Sequence, residues 1–181
     1  MHRILEETGR QLVLKDYGVF HAGKGPYGSP EWYEHQALTT KNRGLGEQVS
    51  AIELDTLLRS EPYQKEHPHF DVFVLNRDLT TTQEDTTNNY IFGYGPYPNN
   101  IVSTTRFQLL MPTDSIRHAA LQIIGAHEFG HTIALVHRDF NTGTQGYQLV
   151  HCIGEKGPCL MEQVNVPGCK TMEEQAKLLV T

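Results

Sequence analysis

The stretch GAHEFGHTIALVH, residues 125–137, constrains this chain more than any other. It sets two histidines, His127 and His131, four residues apart in a run of helical apolar period. On a helix each residue turns by about 100°, so residues four apart stand one above the other on one face. Two imidazoles held that way can reach a single metal ion, and Glu128 follows the first of them. The residues upstream support the helix. Thr113 or Asp114 is a candidate cap after Pro112, and Ile116, Ala120, Ile123 and Ile124 form one stripe. The spacing predicts a helix over about 114–136 with the histidine pair toward its C-terminal end. Gly125, Ala126 and Gly130 permit close packing around the pair, which suits a buried site.

The rest of the chain must supply the body on which that helix rests. GEQVSAIELDTLLRSE, residues 46–61, has Val49, Ile52, Leu57 and Leu58 near helical period and reads as an amphipathic helix. HFDVFVLNRDLTT, residues 69–81, reads as a strand whose continuous apolar character predicts a central place in a sheet. NNYIFGYG (88–95) and NNIVSTTRFQLL (99–110) read as two further strands, parted by the turn residues PYPNN. RQLVLKDYGVF (10–20) reads as an early strand, and AGKGPYGSPEWYEH (22–35), with Gly and Pro at turn spacing, as irregular surface. The expectation is one α+β domain over residues 1–181. It has a mixed twisted sheet of about four strands, packed on the upstream helix and on the histidine-bearing helix. Residues 151–181 form a small cysteine-containing turn region.

Charge and cysteines bound the partners. The balance of 15 basic and 21 acidic side chains gives −6, so no basic surface points to nucleic acid or to an anionic membrane. The first residues, MHRILEETGRQLVLKD, carry charges throughout and read neither as an export signal nor as a membrane span. Three cysteines, an odd number, argue against a disulfide framework, so the thiols are expected to be reduced and the protein cytoplasmic.

A zinc site of this kind takes a third protein ligand, and two histidines are candidates, His137 and His151. His137 completes His-Glu-x-x-His-x-x-x-x-x-His, which resembles the metzincin zinc proteases, where a turn after the second histidine brings back the third. That turn normally falls on glycine; here the position is Ala134. If the helix runs on, His137 lies about 120° around from His131. Turning at an alanine costs about 1 kcal/mol or more. The segment HCIGEKGPCLM, residues 151–161, is similar to the archaemetzincin signature of a His-Cys pair followed by Cys-x-Met. The strands NNYIFGYG and NIVSTTRF resemble the same family's Asn-aromatic-x-Phe-Gly and Ser-x-x-Arg strands, so the likeness covers roughly residues 70–165. It implies a metzincin-like fold, His151 as third ligand with His137 as the alternative, and Met161 in the turn beneath the metal. It also implies a second, structural zinc on Cys152 and Cys159. Cys169 is a candidate third thiolate there, or a small packing residue. The chain departs from the family at Ala134, at Arg138 where a Cys would follow the histidine, in the thirteen residues before His151, and in lacking a closing Cys-x-x-Cys.

The chemistry expected is peptide-bond hydrolysis by a zinc-activated water, with Glu128 as general base and a peptide or protein as substrate. NIVSTTRF is the expected edge for an extended peptide. The alternative is a zinc-stabilised binding module, in which all four histidines close the site and Glu128 has no chemical role.

Overall fold

The computed structural model describes residues 28–42, 46–81, 90–132, 173, 174, 176 and 177. They form a mixed α+β fold in which one strand lies between two layers of helix.

The first helix, α1 (Pro30–Gln36), lies where the sequence reads as irregular surface. Pro30, read as a turn signal, and Ser29 before it start the helix instead. Ser29 caps it by accepting from the Trp32 amide at 3.3 Å, and Pro30 occupies the first turn, where its missing N–H costs nothing. It buries Tyr33, whose hydroxyl accepts from the Gly28 amide at 3.0 Å and donates to Glu61.

Strand β1 (Leu38–Asn42) pairs antiparallel with β2 (Glu47–Ser50), which pairs parallel with β4 (Leu79–Thr80). The segment expected to be helical from residue 46 therefore opens as a strand. Val49 belongs to β2, and helix α2 (Ala51–Ser60) begins only after Ser50, whose hydroxyl accepts from the Glu53 amide at 3.2 Å. The inward stripe of α2 is Ala51, Leu54, Asp55 and Leu58, not the Val49–Ile52–Leu57–Leu58 set expected from the sequence. A short helix, α3 (Pro62–Glu66), follows.

The second sheet holds β3 (Asp71–Leu75), β6 (Asn99–Ser103) and β5 (Gly93–Tyr94), in that order. Strand β3 runs parallel to β6 over five pairs, from Asp71↔Asn99 to Leu75↔Ser103, and β5 runs antiparallel on the other side of β6. A bridge between Leu79 and Ile91 links the two sheets. Among the described residues two mixed three-stranded sheets thus replace the one sheet of about four strands expected.

Among the described residues β3 is an edge, not a centre, and Val72 and Val74 are 52% and 56% exposed. The central strand is β6, buried at all five positions. Its residues alternate between layers. Ile101 packs with Tyr33, Leu54, Leu58 and Leu79, on the α1 and α2 side. Val102 packs with Phe92, Phe107, Ile116 and Ile123, on the other side. Each large side chain buried this way contributes roughly 1.5–3 kcal/mol.

That other layer is made by α4 (Thr105–Leu110) and α5 (Asp114–Thr132). The strand expected over 99–110 ends at Ser103, and its tail is α4. Helix α5 matches the expectation as far as it is described. Thr113 caps it through the Ile116 amide at 3.3 Å, and Ile116, Ala120, Ile123 and Ile124 all face one apolar cluster. Near the C-terminus, residues 173, 174, 176 and 177 are helical and Ala176 joins the same cluster. No helix of the described residues is long and apolar enough to cross a membrane.

Candidate metal centre

The last two turns of α5 carry the site. His127 and Glu128 are each 6% exposed, and His131 is half-buried. The Nε2 atoms of His127 and His131 approach to 3.1 Å, with ring centroids 4.7 Å apart and planes crossing at 81°. Two imidazole nitrogens at that distance need something between them. A proton can serve, with one ring donating to the other. A tetrahedral zinc with Zn–N bonds near 2.05 Å holds its nitrogens roughly 3.3 Å apart, so the pair fits that ion with little adjustment. Among the described residues no group of three or more His, Cys, Asp or Glu side chains is arranged to hold a metal ion. His137, His151, Cys152, Cys159, Cys169, Met161 and Ala134 lie outside the described residues, as does the early strand at 10–20.

Three polar ties hold this end of α5 against the sheet. Asn100 on β6 donates to the Gly125 carbonyl at 3.2 Å, two residues before His127. The Thr132 hydroxyl lies 3.0 Å from the Asn99 carbonyl, 3.4 Å from that of Gly95 and 2.9 Å from that of Glu128. It has one proton to share among them, so it serves as the hub where helix, β5 and β6 meet. Phe129 closes the outer flank, edge-on to Phe70 at 6.1 Å.

The closest approach is between β5 and Glu128. A Cβ added at Gly95 would lie 2.2 Å from the Glu128 carbonyl oxygen, and one added at Gly93 would lie 2.5 Å from the Glu128 Cγ. Glycines in β5 and directly after it, Gly93 and Gly95, therefore permit this close packing. Gly125, expected to serve that purpose from within the helix, would meet nothing within 4 Å. Gly93 and Gly95 went unread in the sequence, yet glycine at alternate positions of a strand signals that another backbone comes close on one face. Enclosed in this way, the Glu128 carboxyl is pushed up to about 8 by burial. A carboxyl in that range can both take and return a proton near neutrality.

The two strand motifs upstream also meet each other, through residues away from Glu128. Arg106 donates to the buried Asp78 through Nε at 2.8 Å and Nη2 at 2.6 Å, and its guanidinium lies 3.9 Å over the Tyr90 ring. Gln48 also donates to Asp78, at 2.8 Å, which ties β2 and α4 together. Phe92 stacks on Phe107 at 5.0 Å. These residues brace the strand that faces Glu128.

No protein-family model, curated protein or solved structure matches the chain, so the likeness to archaemetzincins stands on the motif residues alone.

Proposed function

We propose that the chain is a zinc-dependent peptidase, metzincin-like in fold and similar to the archaemetzincins in its motifs. The observation that supports this reading best is the pair of Nε2 atoms converging from successive turns of α5, with Glu128 between them in sequence. His127 and His131 would hold the zinc, with His151, or His137 in its place, as third ligand. A zinc ion held there would lower the pKa of a water and polarise a carbonyl.

The chain's own residues supply the rest. Glu128 takes a proton from the attacking water and passes it to the leaving amine. The peptide's place changes from the sequence-based expectation. Strand β6, the NIVSTTRF segment, has β3 on one side and β5 on the other, so neither of its edges is free. Among the described residues β5 pairs only with β6, and it lies against Glu128. A peptide extended along β5 would carry its scissile bond past that carboxyl. A second zinc on Cys152, Cys159 and Cys169 is part of the same proposal.

Zinc content and a mixed peptide library read by mass spectrometry test the reading. The parent should take up zinc and cleave. Glu128→Gln should keep zinc and fold while losing at least ~10²-fold in rate. A protein that takes up no zinc sinks the proposal, and equal cleavage by Glu128→Gln sinks the mechanism. Zinc uptake without cleavage favours the closed binding module.

A further inference from the structure

We infer that Gly93 is a positioning residue for Glu128: the volume its missing side chain leaves free is the seat of the Glu128 side chain. The role in catalysis rests on the peptidase reading above; the seat itself does not.

Gly93 opens β5 and Gly95 directly follows it; both lie against Glu128, while Tyr94 between them packs against the α2-side cluster. Glycine weakens a strand, so two of them at alternate positions call for a cause. The causes differ. At Gly95 the nearest atoms are helix backbone, the Glu128 carbonyl oxygen, its carbon and its Cα, at 2.2, 2.8 and 2.9 Å from an added Cβ. That contact sets how near the helix comes. At Gly93 the nearest atoms all belong to the Glu128 side chain, with Cγ at 2.5 Å and Cδ and Oε1 each at 2.9 Å. No helix backbone is among them. Gly95 is enough to admit the helix, and Gly93 is needed only because residue 128 carries a long side chain lying toward β5.

An alanine at 93 would fill the seat. Glu128 would have to leave its rotamer or β5 would have to withdraw, and either displaces the carboxyl by about the length of a bond. A misplacement near 1 Å can cost ~10²-fold in rate. His127 and His131 are not among the atoms nearest to an added Cβ at 93, so zinc binding is expected to persist.

The test is a double-mutant cycle on the full chain, with Gly93→Ala, Glu128→Ala and the two together, each melted with and without zinc and assayed for zinc content and peptide cleavage. The expected result is non-additive. Gly93→Ala lowers Tm, or prevents folding, when Glu128 is present and has little effect once Glu128 is alanine. On the folded single variant, kcat falls by ~10²-fold while KM and zinc stoichiometry hold. An equal Tm loss in both backgrounds, failure to fold in both, or an unchanged kcat in Gly93→Ala overturns the proposal. A zinc-loaded parent that cleaves no peptide overturns the peptidase reading instead, and the melting cycle then decides the seat by itself.

Discussion

Two carboxylates are buried on opposite faces of β6, and they are treated in opposite ways. Asp55, on the inward stripe of α2, accepts from the Asn99 amide at 2.7 Å and from Arg59 Nε at 2.7 Å. It is a structural acid, its desolvation offset by partners. Glu128, on α5, is enclosed by strand backbone, and burial is the cause that raises its pKa. One face of the strand spends its polar contacts on stability. The other keeps a proton-exchanging group at a strained protonation balance, the usual mark of a functional site.

The largest effect that should separate the two acids is pH dependence in the absence of metal. The folded pKa of Glu128 lies above its unfolded value of 4.5, so the folded chain binds the extra proton between about 4.5 and 8. Its contribution to stability is full below 4.5 and is lost as pH rises through 8, a change on the order of 4 kcal/mol. Denaturant titrations in chelator at pH 5 and pH 8 should show that fall, and Glu128→Gln should flatten it. If both proteins respond to pH alike, Glu128 is not the titrating group.

Next in size is Gly95→Ala. The new methyl would meet helix backbone, which cannot rotate away, so a loss of about 3 kcal/mol is expected, at the upper end for overpacking. Urea unfolding measures it, and a loss under about 0.5 kcal/mol, typical of a surface change, would mean β5 and α5 are farther apart than described.

Asp55→Ala should cost somewhat less, about 1–3 kcal/mol, because it removes the shorter of the two bonds made by the buried Asn99 amide and leaves it only the residue 55 carbonyl, at 3.3 Å. Zinc uptake and cleavage should survive. A variant that melts normally but loses activity would erase the contrast between the two faces.

The helix with the histidine pair was legible because every local signal in it agrees: a threonine cap, a four-position apolar stripe and the metal-ligand spacing. The sheet was not, and the reason is specific. DVFVL is more apolar than NNIVS, so hydrophobicity points to the first as the central strand. Yet Val72 and Val74 face outward, while Asn99 and Asn100 are fully buried. Burial of these asparagines is offset by hydrogen bonds to Asp55 and Gly125, contacts that depend on elements distant in sequence. Likewise Ser-Pro at 29–30 can begin a turn or a helix, and only the burial of Tyr33 decides between them. The glycines of β5 were visible as letters, but their partner lies more than thirty positions away, so no local pattern names it.

The two adjacent asparagines also carry information about pairing. Ile101 and Val102 present a hydrocarbon to each face of β6, so a slip of one residue would still bury an aliphatic group on both sides. Greasiness alone cannot tell the correct alignment from its neighbour. The amides can, because each must find its own acceptor, one on α2 and the other on α5. During folding the strand is proof-read at two addresses at once, and an alignment that satisfies one helix while failing the other leaves a buried amide bare.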